Sequence, residues 1–167
     1  MYWLIATNAA ATDKMTKKRK LSLEYVPEYT AIGIFTPRKD YRFCWLLNQK
    51  LNLDFKRIPD FWQKPYNQDD PIPFPIYFDE TPELLLQYFL IVNKTPAGIL
   101  FDKPNNLDLL FLLKNQSGQA DPEEIIKSIK RISVVQAAYL LDGKLGKRAA
   151  NIFYDLEMHI GSIPQAP

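Results

Sequence analysis

Residues 107–142, LDLLFLLKNQSGQADPEEIIKSIKRISVVQAAYLLD, decide the fold class, because they spell a strand, a helix and a second strand in succession. Leu107, Leu109, Phe111 and Leu113 recur at every second position, which puts them on one face of an extended chain. Residues 115–120 are small and polar without a period, so a loop is expected there. Asp121-Pro122-Glu123-Glu124 is a helix start: Asp as N-cap, Pro at the first helical position, Glu placed to close a capping box. Ile125, Ile126, Ile129 and Ile132 supply a buried stripe, and a strand over 134–141 ends at Asp142-Gly143. A helix feeding directly into a strand resembles half of a ferredoxin-like unit.

Working back along the chain, residues 84–92 (LLLQYFLIV) form a nearly unbroken apolar run, the pattern of a central strand covered on both faces. Ile72, Phe74, Ile76 and Phe78 alternate with Pro73, Pro75 and Tyr77, and proline cannot donate to a ladder, so this segment is expected as an edge strand or an extended cover segment. Turns at 93–98 and 104–106 flank a short strand at 99–101. Residues 59–71 are polar and proline-bearing, a predicted loop, after a short strand at 53–58. Thr36 and Pro37 read as N-cap and first position of a helix over 38–51 whose buried face carries Phe43, Leu46, Leu47 and Leu51. Strands are expected at 30–35 and, from the alternation of Leu21, Leu23 and Tyr25, at 21–25. In the C-terminal tail only Ile152, Phe153 and Tyr154 are expected to dock. The fold class is α+β: a mainly antiparallel sheet with two amphipathic helices, one domain over 21–155, a basic N-terminal extension over 1–20 and a loose tail over 156–167.

The 167 residues are 47% hydrophobic and 24% charged, which suits a folded chain and excludes a disordered or collagen-like one. No apolar run reaches the ~18 residues of a membrane-spanning helix. The formal charge of +2 is uneven: Lys14, Lys17, Lys18, Arg19 and Lys20 lie in the first twenty residues, and the remainder holds 16 basic against 18 acidic side chains. A slightly acidic body gives nucleic-acid binding no support. The basic residues follow the apolar start instead of preceding it, unlike a secretory signal, and a cytoplasmic protein is expected. Residues 1–14 are either a loose extension or the product of an upstream start, with Met15 as the alternative first residue.

The inventory limits the chemistry. Dinucleotide, P-loop, zinc-protease and nucleophile-elbow motifs are all missing, and no cofactor is expected. One cysteine, Cys44, excludes a disulfide scaffold and reads as a buried inert thiol. The single histidine, His159, offers no base for a triad. Two polar groups remain as candidate binding residues: Arg38, Lys39, Asp40, Tyr41 and Arg42 at a helix start, and Asp108 in an apolar strand. The first is either an anion clamp or a solvated helix end with local ion pairs. Asp108 either faces solvent or is buried and paired, with a basic residue of the first group as candidate partner. Tyr41 points away from the Phe43–Leu47–Leu51 stripe and stands one turn before Trp45, and Arg42 can reach the neighbourhood of Asp40 or stack on an aromatic ring. They are expected to frame a surface, while Phe43 and Leu47 enter the core. Tyr77, Phe78, Tyr88, Phe89 and Phe111 are either core or a base-stacking platform.

Four strings in series, KDYRFCWLLNQKL (39–51), QYFLIVNK (87–94), LDLLFLL (107–113) and VVQAAYLLD (134–142), resemble the IPExxxVDY family of small bacterial proteins over residues 15–153. The family has no assigned reaction, so the resemblance implies a shared fold and no chemistry. Its namesake motif falls on residues 101–109, FDKPNNLDL, where Asp108 is retained and Leu107 is a conservative change. Lys103 stands at the glutamate position and Leu109 at the tyrosine position, an erosion that favours a structural motif over a catalytic one. The leading expectation is a non-enzymatic cytoplasmic interaction module with an unidentified protein partner. The alternatives are an anionic-ligand binder or enzyme built on Arg38–Arg42, and an RNA-binding protein.

Overall fold

The computed structural model describes residues 29–164; the strand expected at 21–25 and the extension over 1–20 lie outside them. Strand β1 (Tyr29–Phe35) leads into helix α1 (Asp40–Leu51), and β2 (Lys56–Gln63), β3 (Ile72–Thr81) and β4 (Leu86–Val92) follow as an antiparallel meander. A two-residue hairpin, β5 (Lys94–Thr95) and β6 (Gly98–Ile99), precedes β7 (Leu109–Asn115). Helix α2 (Pro122–Lys130), β8 (Ala137–Leu140) and helix α3 (Arg148–Ser162) complete the described residues.

Six strands form one sheet in the order β2-β3-β4-β7-β1-β8, every pair antiparallel. β1 is antiparallel to both β7 and β8, so those two run parallel with β1 between them and α2 joining them. This is the split crossover of ferredoxin-like order. The class is α+β.

Both faces of the sheet are covered. On one, Phe43 and Leu47 of α1 and Ile126 and Ile129 of α2 pack on Ile32, Ile34, Leu109, Phe111 and Leu113. On the other, Ile152, Phe153 and Leu156 of α3 pack on Ala31, Phe89, Ile91, Leu110 and Leu112. Each such fully buried side chain contributes ~1.5–3 kcal/mol relative to water. Gly33 sits at a close approach: a Cβ there would lie 3.0 Å from side-chain carbons of both Leu107 and Leu141. No helix among the described residues is long and apolar enough to cross a membrane.

Asp121 caps α2 as expected, accepting from the Glu123 N–H at 3.0 Å. Several other expectations change. Helix α1 begins at Asp40, and its N-cap Lys39 has no side-chain cap. Thr36 is committed elsewhere: its hydroxyl donates to the Val134 carbonyl at 2.9 Å. β3 is interior to the sheet and not an edge strand, but β4 pairs with it only from Ile76 onward. Pro73 and Pro75 therefore lie where β3 has β2 alone as a neighbour. β2 continues to Gln63 through a register shift between Ile58 and Phe61, absorbing part of the predicted loop. The tail expected to be loose from 156 is the second half of α3: Leu156 is buried and Tyr154 is exposed. Leu107 packs with the α3-side cluster, apart from Leu109, Phe111 and Leu113.

Candidate functional site

The residues of the α1 start are sorted by the helix geometry. Asp40 turns toward β3, where its Oδ2 accepts from the Tyr77 hydroxyl at 2.9 Å and lies 3.6 Å from Arg57 Nη1. Arg57 also pairs with Asp60 and lies over the Tyr77 ring, 5.5 Å from its centroid. Burial, with the Asp40 hydrogen bond, pushes the Tyr77 hydroxyl up to about 12. Cys44, beneath the same flank, is likewise pushed up to about 12 by burial and then by the Asp40 charge. It is buried and held as a thiol at neutral pH.

Arg38, Tyr41 and Arg42 come together on the opposite flank. With Trp45 and Leu46 they form one side of a groove of about 580 Å³, and Ser133 and Val134, between α2 and β8, form the other. Tyr41 is 54% exposed and Trp45 60%, and the two stand one helical turn apart on the same groove wall. The Arg42 guanidinium lies 5.9 Å from the centroid of the Tyr41 ring. Among the described residues neither Arg38 nor Arg42 has a carboxylate within ion-pair distance. Lys39 is exposed at the helix cap and does not line the groove.

Asp108 does not pair with the arginines. Its Oδ2 accepts the Thr36 N–H at 3.0 Å, and the Thr36 hydroxyl in turn reaches Val134. The Arg38 N–H donates to the same hydroxyl at 3.3 Å. This relay ties the end of β1 and the base of α1 to the far wall of the groove, so Asp108 positions the groove without lining it. Trp45, Leu46, Ser133, Val134 and Thr36 are additions to the sequence-derived set. Only Trp45 had a sequence signal, its spacing one turn from Tyr41.

The remaining candidates are placed elsewhere. Tyr77, Tyr88, Phe89 and Phe111 are buried, and Phe78 packs on Phe89 at 5.1 Å. Helices cover both sheet faces, so these rings belong to the core and present no stacking platform. His159 lines a cleft of about 560 Å³ between β2 and α3 with Trp62 and Met158. Its Nε2 lies 2.8 Å from the Pro59 carbonyl oxygen, and its ring packs on Phe61. The α1 groove can hold an occupant by apolar contact and by two guanidinium charges. No protein-family model, curated protein or solved structure matches this chain.

Proposed function

We propose that this chain is a non-enzymatic cytoplasmic interaction module whose contact face is the groove between α1 and the α2–β8 connection. The observation that carries the reading is the grouping of half-exposed Tyr41 and Trp45 with two arginines that have no carboxylate partner among the described residues. Trp, Tyr and Arg are the side chains that dominate binding energy at protein interfaces. Walls this exposed suit a partner laid across them better than a small ligand, which buries 70–90% of its own surface in a typical pocket. The one cysteine is held as a buried free thiol, which suits a reducing compartment. Placement in the IPExxxVDY family remains part of the proposal and rests on the four strings quoted above. Asp108, the aspartate of its motif, holding the Thr36 N–H supports a structural reading of that motif.

Immobilised wild-type protein and a Trp45→Ala variant, exposed to native lysate, test the reading. A reproducible partner retained by the wild type and lost on Trp45→Ala is expected. No reproducible partner, or one retained equally by both, would overturn it.

A further inference from the structure

The turn between β3 and β4 has a feature that local geometry does not explain. Residues Pro82–Leu84 make one 3₁₀ turn that ends at Leu85, whose φ of 51° and ψ of 44° put it in the left-handed region. Glycine, asparagine or aspartate would satisfy that backbone without the steric penalty a leucine carries. The Leu85 side chain is also 57% exposed, and Leu84 is 38% exposed. The turn is held in shape: the Leu85 N–H donates to the Pro82 carbonyl at 3.1 Å, and the Gln116 N–H to the Leu85 carbonyl at 3.3 Å. Two leucines are therefore fixed outward on a pinned turn. Acidic residues flank them in the chain, Asp79 and Glu80 before the turn and Glu83 within it; Asp79 accepts the Asp54 and Glu80 N–H groups, and Lys114, paired with Glu157, lines the depression beside Leu85. Neither Glu83 nor Glu80 has a cation within ion-pair distance among the described residues; the Glu80 carboxylate accepts from the Gln87 amide at 3.3 Å.

This apolar, acidic turn is the chemical complement of the α1 groove, which offers Tyr41, Trp45, Leu46 and Val134 for the leucines and Arg38 and Arg42 for the carboxylates. The two features cannot meet within one molecule. The turn adjoins Leu86 and Asn115, at the end of the sheet where β1 begins, while the groove follows the other end of β1 beyond Phe35. The chain's own first twenty residues are a poor occupant, since their basic run would meet the two arginines.

We propose that the groove is occupied by the 79–85 turn of a second copy of this chain, a proposal that rests on the groove being the contact face. Each copy offers one turn and one groove, so the contact is heterologous and adds copies in series. One turn in one groove buries less than the ~1,200 Å² of a stable standard-size interface, so association is weak and concentration-dependent. Its charge component makes it weaker in high salt.

Sedimentation velocity of the full chain over a rising concentration series tests this. The average mass of the wild type is expected to rise with concentration and to fall back on adding salt. Leu85→Asn removes the apolar knob while suiting the left-handed backbone, and Trp45→Ala removes the groove wall; each alone is expected to remain monomeric. Mixed in equal amounts, the two variants retain one intact turn and one intact groove between them, so a one-to-one complex should return and nothing larger. Trp62→Ala, at the separate β2–α3 cleft, should associate like the wild type. A wild type that stays monomeric at the highest concentration overturns the proposal, as does association that survives Leu85→Asn or is lost on Trp62→Ala. A monomeric wild type that still captures a lysate partner through Trp45 would leave the contact face standing and remove only the second copy.

Discussion

The two flanks of α1 start from the same six residues, Arg38–Phe43, and end with opposite characters. Toward β3, Asp40, Tyr77 and Arg57 satisfy one another by hydrogen bond, ion pair and ring contact. Toward α2 and β8, Arg38 and Arg42 have no carboxylate within ion-pair distance among the described residues, and Tyr41 and Trp45 are exposed. Charge density does not distinguish the flanks, since both carry arginine. Partner satisfaction does. A charged residue whose partner is already within the fold holds the fold together, and one without a partner is free to hold something else.

Four measurements test this contrast. The largest effect belongs to the floor both flanks share: Leu47→Ala deletes a fully buried side chain and should cost ~2–5 kcal/mol in chemical denaturation. The relay behind the groove comes next. Asp108→Ala leaves the Thr36 N–H without an acceptor and should cost about 1–3 kcal/mol, while Asp108→Asn keeps an acceptor and should cost clearly less. Equal losses would show that the Asp108 charge, and not the hydrogen bond, secures the loop.

The third test addresses the closed flank through pH. Tyr77 and Cys44 both hold their protons more tightly in the folded state, each near 12 against ordinary values of 10.0 and 9.0. The unfolded chain releases those protons first, so rising pH favours unfolding. The stability tied to them is intact below about pH 9 and is lost as pH climbs toward about 12. Denaturation midpoints across that window should fall more steeply for the wild type than for a Tyr77→Phe, Cys44→Ala double variant. Parallel slopes would mean that the flank opens to solvent. The smallest effect is expected at Arg42→Ala, which should change stability by no more than about 0.5 kcal/mol while weakening partner capture. A loss comparable to Leu47→Ala would make Arg42 a structural residue and dissolve the contrast.

Sequence signals succeeded where cause and effect are close together in the chain. Asp121 caps a helix two residues away, and the Ile126–Ile129 stripe needs only helical spacing to predict its burial. They misled where a local signal serves a distant partner. Thr36-Pro37 has the form of a helix cap, but α1 starts only at Asp40, and the Thr36 hydroxyl accepts the Arg38 N–H ahead of the helix while donating to Val134. Pro73 and Pro75 suggested an edge because where β4 begins to pair is not written in β3 itself. In α3, Ile152 and Phe153 were visible as docking residues, but the role of Leu156 one turn later becomes clear only once the α3-side sheet face exists. The groove follows the same rule. Arg38, Tyr41 and Arg42 share one helix and could be grouped from spacing, whereas Ser133 and Val134 are brought opposite them by the crossover between β7 and β8.

The position of α3 has a consequence for synthesis. Every strand of the sheet precedes it in the chain, as do both helices of the other face. The strands of the sheet and the helices of its other face are therefore synthesised before the helix that covers Phe89, Ile91, Leu110 and Leu112. At ordinary elongation rates, translating the 15 residues of α3 takes on the order of a second. Until α3 docks, those four side chains lack the cover it gives them in the finished fold.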